Sequence, residues 1–198
     1  MALNPESRAR FNLEQASILV LEPHAMGMNV IVEILSRFGA RKFRRCFTVA
    51  EARESVEADH YDLMMVDAMA GEGVEFVRWL RRTELKPNAY VPIILMSGHT
   101  PARLVAEARD CGAHFVMVKP LAPSAVLERI LWLAREGRQF VACDSYAGPD
   151  RRFQNLGVPP GMQGRRRSDT AEDLGDAQGP NLDQSLIDGL LKPTKVHL

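Results

Sequence analysis

The sequence has no long run of apolar residues and few cysteines. No segment approaches the ~20 apolar residues of a membrane-spanning helix, and the first residues are polar and charged where a secretion signal requires an apolar core. The three cysteines lie far apart and form no Cys-X-X-Cys pair, so they provide neither a metal site nor a disulfide framework. These absences predict a reduced, cytoplasmic chain that contacts no membrane.

The chain also lacks an excess of charge of either sign. Its 198 residues include 25 Lys and Arg and 25 Asp and Glu. A balanced chain has no global field that attracts nucleic acid, so an electrostatic partner must be bound by a local cluster. No internal repeat is visible, and the length suits one domain with an appendage.

Short apolar runs alternate with longer amphipathic stretches from about residue 17 onward. Most of the short runs are apolar without alternation, as in parallel strands that are covered by helices on both faces. The second run is basic and suits an edge strand. The predicted strands are Ile18–Leu21, Lys42–Cys46, Leu63–Val66, Pro92–Met96 and Phe115–Val118.

Helical periodicity fills the stretches between these runs. The first helix is predicted from an apolar face that ends before Gly39, and the second from Thr48 as its N-cap with Glu51 as the capping-box partner. Apolar residues of the first face are Met26, Val30, Ile31, Ile34, Leu35 and Phe38. Five such strand–helix units predict an α/β fold with a doubly wound parallel sheet.

The pattern divides the chain into three parts. Residues 1–13 are predicted to be a leader, residues 14–138 the α/β domain, and residues 139–198 a largely irregular tail rich in Arg, Gly and Pro. Apolar residues recur at helical spacing from Asn181 to Lys192, which predicts a short amphipathic helix near the C-terminus. This helix is expected to dock in a groove of its own domain or of a partner, and an unbound, frayed terminus is the alternative.

Four residues that carry chemistry follow the predicted strands directly. Because carboxyl ends of parallel strands meet at one edge of the sheet, Glu22, Asp67, Ser97 and Lys119 are expected to share a crevice. A carboxylate attacks phosphorus if cations and hydrogen-bond donors neutralise the phosphoryl oxygens. Asp67 is the predicted nucleophile, with Lys119 and Ser97 as phosphate contacts and Glu22 as a ligand for a divalent cation such as Mg²⁺.

The residues around these four positions resemble the receiver domain of bacterial response regulators. The resemblance covers about residues 16–138 and implies a five-stranded, flavodoxin-like sheet of order 2-1-3-4-5. It is carried by the segments Ile18–Glu22, Tyr61–Asp67, Val91–Gly98 and Cys111–Pro120.

The resemblance also implies a function for the site. It implies phosphorylation of Asp67 by a histidine kinase or a phosphotransfer protein, phosphate contacts from Ser97 and Lys119, and a downstream protein target. The implied Mg²⁺ ligands are Glu22, Asp67 and the backbone carbonyl of Met69, and a cis peptide is implied between Lys119 and Pro120.

Two positions depart from the receiver pattern. Receivers carry a second acid after the first strand, where this chain has Pro23, so weakened Mg²⁺ binding is expected. The switch aromatic is replaced by Val116, while Phe115 has the opposite strand parity and is expected to point into the core. A pseudo-receiver that signals without phosphate is therefore an alternative function.

The tail shows no motif of a DNA-binding or enzymatic output domain. The chain is accordingly predicted to act by binding rather than as an enzyme, and DNA is disfavoured as a partner. Arginine forks bind phosphates and stack on purines, and aspartates can bind a guanine edge, so a guanine-nucleotide site is the second hypothesis. Arg166 to Asp169 resembles the motif that binds cyclic di-GMP in diguanylate cyclases, which implies cyclic di-GMP as the ligand. A solvated linker and nonspecific nucleic-acid contact are the alternatives. The residues of this hypothetical site are Arg151, Arg152, Arg165, Arg166, Arg167 and Asp169.

Overall fold

The structure is a computed structural model of the 198-residue chain. It describes residues 12–69, 72–135, 139–143 and 145–150, together with Gln184. No helix within these residues is both long enough and apolar enough to cross a membrane.

Five parallel strands form the main sheet in the order β2-β1-β3-β4-β5. This order confirms the fold predicted from the sequence. Asp67 and Ser97 are the last residues of their strands rather than the first residues after them. The strands are β1 (Ser17–Leu21), β2 (Lys42–Cys46), β3 (Leu63–Asp67), β4 (Ile93–Ser97) and β5 (Phe115–Val118).

In the part of the chain described up to residue 135, five α-helices cover the two faces of the sheet. The helices are α1 (Ala25–Arg37), α2 (Val49–Ala58), α3 (Gly73–Arg81), α4 (Ala102–Asp110) and α5 (Pro123–Arg135). A short 3-10 helix, Asn88–Tyr90, precedes β4. Helix α2 begins as predicted, because the Thr48 hydroxyl accepts from the Glu51 N–H at 3.2 Å and the Glu51 carboxylate accepts from the Phe47 N–H at 2.8 Å.

Alternate residues of each strand enter two separate apolar layers. One layer packs the sheet against α1 and α5, and the other packs it against α2, α3 and α4. Phe115 lies in the first layer and Val116 in the second, as their strand parity predicts. Val116 is 1% exposed, so a buried aliphatic side chain stands where receivers carry the switch aromatic.

Two details at the first helix differ from the sequence prediction. Met26 and Val30 are exposed, because the buried face of α1 is turned toward Met28 and Val32 instead. Leu13, the last residue of the predicted leader, is 7% exposed and packs into the core, and its N–H donates to the Phe38 carbonyl at 3.0 Å. The folded unit thus begins before residue 14.

An antiparallel hairpin extends the folded unit beyond residue 138, where the sequence pattern predicts an irregular tail. Its strands are β6 (Phe140–Cys143) and β7 (Tyr146–Pro149). Strand β7 approaches the turn after α4 so closely that a Cβ on Gly148 would lie 2.6 Å from the Gly112 Cα. Tyr146 is 5% exposed, and its hydroxyl donates to the Pro149 carbonyl at 2.8 Å. No apolar periodicity marks so short a hairpin.

Buried Arg81 joins the hairpin to the domain. The guanidinium donates to the carbonyls of Gly112 (2.9 Å), Ala89 (2.9 Å) and Val91 (2.8 Å) and lies 5.6 Å from the Phe140 ring centroid. Burial lowers the Arg81 pKa to about 10, so the group remains charged at neutral pH. A buried cation is tolerated here because three carbonyl dipoles and an aromatic face replace water.

Replacement of Arg81 by Met is expected to destabilise the protein by about 3 kcal/mol, because buried carbonyls lose their hydrogen-bond donor. Urea unfolding measures this change. Arg82→Met is the matched control, since Arg82 is the next residue and is exposed. Equal unfolding midpoints for the two variants would contradict the role assigned to Arg81.

Candidate functional site

The site lies at the carboxyl edge of the main sheet. Glu22 directly follows β1, and its N–H donates to the Cys46 carbonyl of β2 at 3.0 Å. Lys119 directly follows β5, and its N–H donates to the Ser97 carbonyl of β4 at 2.8 Å. Asp67 ends β3 between these two pairs of strands. Parallel pairing therefore brings the predicted residues to one edge.

The Lys119 ammonium joins two acids of the site. It donates to Oδ2 of Asp67 and to Oε2 of Glu22. The side chain of Glu22 is 1% exposed and that of Asp67 is 8% exposed, whereas that of Lys119 is 24% exposed. Carboxylates buried to this extent need a compensating cation. One ammonium serves two carboxylates, so these three side chains carry a net negative charge.

The pKa of Lys119 is raised above its usual value by its surroundings. Burial of the ammonium lowers the pKa, but the hydrogen bonds and charges of Asp67 and Glu22 more than offset this effect. Lys119 is thus charged at neutral pH. Its electrostatic stabilisation of the fold is fully present below the unfolded-state pKa and is lost only as the pH rises through the raised value.

Backbone N–H groups hold the other oxygen of each carboxylate. Oδ1 of Asp67 accepts from the Met69 N–H at 2.6 Å, and Oε1 of Glu22 accepts from the His24 N–H at 3.2 Å. These bonds orient both acids toward Lys119. Glu22 also lies at the N-terminus of α1, where the helix dipole favours a negative charge.

Two glycines that no sequence motif singles out make room for the acids. A Cβ on Gly27 would lie 2.7 Å from Cδ of Glu22, and a Cβ on Gly73 would overlap the backbone oxygen of Asp67. Glycine in the first turns of a helix weakens that helix. Its presence in α1 and α3 is the sequence signal that could have indicated a close approach at these positions.

Ser97 is at the same edge, but its hydroxyl does not face the acids. The hydroxyl donates to the His99 carbonyl at 2.6 Å and accepts from the His99 N–H at 3.1 Å. Ser97 is fully buried. The structure therefore brings Glu22, Asp67 and Lys119 into direct contact and places Ser97 beside them with its hydroxyl turned into the loop after β4.

The oxygen donors suit a hard divalent cation, although they are few. Asp67, Glu22 and the Met69 carbonyl offer the oxygen ligands that Mg²⁺ prefers. Both carboxylates contact Lys119, and exposed Pro23 contributes no carboxylate. Among the residues described, no cluster of three His, Cys, Asp or Glu side chains is arranged to hold a metal ion. The donor set therefore fits a cation that keeps several waters.

The peptide bond between Lys119 and Pro120 is cis, as the resemblance implies, and a second cis bond joins Lys86 to Pro87. The arginines of the hypothetical nucleotide site, Arg151 to Arg152 and Arg165 to Arg167, lie outside the described residues, as does Asp169.

A doubly wound sheet of order 2-1-3-4-5, with an acid after β1, an acid ending β3 and a lysine after β5, defines the receiver class of signalling domains. Residues 18–131 match the family model of the response regulator receiver domain. The chain belongs to this family, and receiver domains of two-component systems interact with histidine kinases or phosphotransfer proteins.

Known proteins agree with this assignment. The sensory/regulatory protein RpfC of Xanthomonas campestris pv. campestris is 24% identical over 139 residues, which are 69% of this chain and 19% of RpfC. The chain thus spans about a fifth of the length of that relative.

Two solved structures show the same fold. A putative response regulator from Chloroflexus aurantiacus J-10-fl is 19% identical, with a TM-score of 0.56 over 61% of this chain and 98% of that chain. The receiver domain of a sensor histidine kinase from Pseudomonas aeruginosa PAO1 has a magnesium ion coordinated in its active-site cleft. It is 25% identical, with a TM-score of 0.52 over 59% of this chain and 94% of that chain.

In the variant Lys119→Met, the free energy of unfolding is expected to decrease between pH 5 and pH 7. The decrease is expected to exceed that of the original chain by about 1 to 2 kcal/mol. Without the ammonium, two neighbouring buried carboxylates repel each other, so the folded variant binds a proton more readily than its unfolded chain. A state that binds the extra proton is favoured at low pH. Urea unfolding at the two pH values measures the difference.

The control is the double variant Lys119→Met with Asp67→Asn, in which only the Glu22 carboxylate remains. If Lys119→Met had the same pH dependence as the original chain, or the double variant had the same pH dependence as Lys119→Met, the two carboxylates would not be coupled through Lys119.

Proposed function

We propose that the chain receives a phosphoryl group on Asp67 and signals through phosphorylation-dependent protein binding. The observation that supports this proposal is the direct contact between the Lys119 ammonium and Oδ2 of Asp67 at the carboxyl edge of the sheet. A carboxylate with a fixed cation at its oxygen is arranged for attack on phosphorus, because that cation neutralises charge on the arriving phosphoryl oxygens.

In the proposed reaction, an Asp67 oxygen forms a bond to phosphorus while the bond from phosphorus to the donor imidazole nitrogen breaks. The donor histidine leaves as a neutral imidazole after it takes up a proton from water. The Met69 N–H holds the other Asp67 oxygen and fixes the carboxylate plane. Lys119 keeps its contact to Glu22 and shifts its other hydrogen bond to a phosphoryl oxygen.

Mg²⁺ is the proposed cofactor, with Asp67, Glu22 and the Met69 carbonyl as its ligands. When bound, the ion supplies further positive charge beside the phosphoryl oxygens. Pro23 removes one carboxylate from this set, so the proposed affinity for Mg²⁺ is low. The related Pseudomonas receiver, which coordinates magnesium in its cleft, supports the choice of ion.

The proposed phosphoryl donor is a histidine kinase or a phosphotransfer protein, and the proposed output is a contact with a downstream protein. Ser97 is proposed to turn its hydroxyl from His99 toward the phosphoryl group, which would change the loop between β4 and α4. A change at this loop gives a partner two states with different surfaces to distinguish. The chain itself is proposed to catalyse no reaction on another molecule.

Replacement of Asp67 by Asn is expected to abolish phosphorylation by acetyl phosphate or by a phosphorylated histidine kinase, because an amide is not a nucleophile toward phosphorus. Intact mass spectrometry detects the added phosphoryl group. Asp59→Asn is the control variant, since Asp59 is an exposed acid that directly follows the C-terminus of helix α2, away from the carboxyl edge of the sheet.

Hydroxylamine distinguishes the site, because it cleaves an acyl phosphate and leaves phosphate esters intact. Label that persists in Asp67→Asn and resists hydroxylamine would place the modification elsewhere. If the original chain takes up no label at any Mg²⁺ concentration, the pseudo-receiver alternative replaces this proposal.

Replacement of Pro23 by Asp is expected to lower the Kd for Mg²⁺ roughly tenfold, which corresponds to about 1.4 kcal/mol. The change restores a carboxylate beside Glu22, and a hard cation gains a charged oxygen ligand. Isothermal titration calorimetry measures the affinity. Pro23→Ala is the control for loss of the proline ring, and equal affinities of the Asp and Ala variants would refute the ligand role of position 23.

A further inference from the structure

The two edges of the main sheet differ in how they are protected. Edge strand β2 carries the exposed basic residues Lys42, Arg44 and Arg45, which discourage pairing with another strand by charge repulsion. Edge strand β5 has the sequence Phe-Val-Met-Val and carries no charge. An uncharged apolar edge strand is a template for pairing with a further strand unless its free backbone groups are covered.

Gln184 supplies such a cover. Its side-chain Oε1 accepts from the Val118 N–H at 2.8 Å, and its Nε2 donates to the Val116 carbonyl at 2.9 Å. Gln184 is half-buried and lies 66 residues from Val118 along the chain. Both backbone groups point away from β4, so they belong to the free edge of β5.

These two hydrogen bonds have the pattern of parallel strand pairing. In a parallel ladder, a residue on one strand forms two hydrogen bonds with the residues on either side of its opposite neighbour. Its N–H donates to the carbonyl of the residue before that neighbour, and its carbonyl accepts from the N–H of the residue after it. Val116 and Val118 flank Met117 in the same way, and the carboxamide of Gln184 replaces the peptide groups of a sixth strand. A primary amide is suited to this role because it carries a donor and an acceptor on one planar group.

We propose that Gln184 is an intramolecular cap of the β5 edge that prevents a second copy of this chain from pairing there. Without the cap, the β5 edge of one copy would pair with the β5 edge of another, because an isologous dimer contact uses the same surface on both molecules. The cap ends at Val118, directly before Lys119, so it borders the candidate site without taking part in the phosphoryl chemistry. The proposal does not depend on phosphorylation.

The test compares Gln184→Ala with the original chain and with Gln178→Ala, a control in the same C-terminal region. Amide hydrogen exchange, followed by NMR at low protein concentration, is expected to be about fivefold faster at Val118 in Gln184→Ala, as loss of one hydrogen bond implies. Gln178→Ala is expected to match the original chain. Gln184 is only half-buried and lies outside the two apolar layers, so Gln184→Ala is expected to retain the fold.

Sedimentation velocity over a range of protein concentrations provides the second measurement. Gln184→Ala is expected to dimerise at a concentration at least about tenfold lower than the original chain, with concentration-dependent shifts of the Val116 and Val118 amide signals. Unchanged exchange at Val118 would overturn the cap. Faster exchange without any change in self-association would overturn its role against a second copy.

Discussion

The contact of one lysine with two buried carboxylates is the constraint on which the site depends. Glu22 and Asp67 are almost withdrawn from water, and Lys119 is the cation that compensates both. This arrangement requires that β1, β3 and β5 end at the same level, because the lysine must reach across the sheet. The register of the parallel strands is therefore also the geometry of the site.

The same constraint explains features that the receiver pattern alone does not. Glycines at positions 27 and 73 allow helices to begin directly against the two acids, where any side chain would displace a carboxylate or the backbone. The two carboxylates outnumber the single ammonium of Lys119, so the site attracts a divalent cation electrostatically even without an acid at position 23. On the proposed function, phosphorylation changes how a single ammonium is shared among these anions.

Away from the site, backbone carbonyls and N–H groups are covered by side chains from distant segments. Arg81 donates to three carbonyls and lies against the hairpin, and Gln184 pairs with the edge of β5. Arg81 takes the place of water at the three carbonyls, and Gln184 takes the place of a neighbouring strand at the N–H and carbonyl of the β5 edge. The receiver fold is thereby extended at its α3 surface and closed at one edge.

The sequence by itself determined the parallel sheet and the placement of Glu22, Asp67 and Lys119, because strand ends and periodicity are local properties that parallel topology converts into proximity. The strand order came from the resemblance to receiver domains. Only the tertiary structure decided the direction of the Ser97 hydroxyl, the exposure of Met26 and Val30, and the partners of Arg81 and Gln184. The partners of Arg81 and Gln184 lie in other segments, and the direction of the Ser97 hydroxyl depends on the path of the loop after β4, so no periodicity encodes these contacts. A carboxamide 66 residues from its strand leaves no pattern in the sequence, since its two hydrogen bonds exist only after the sheet has formed.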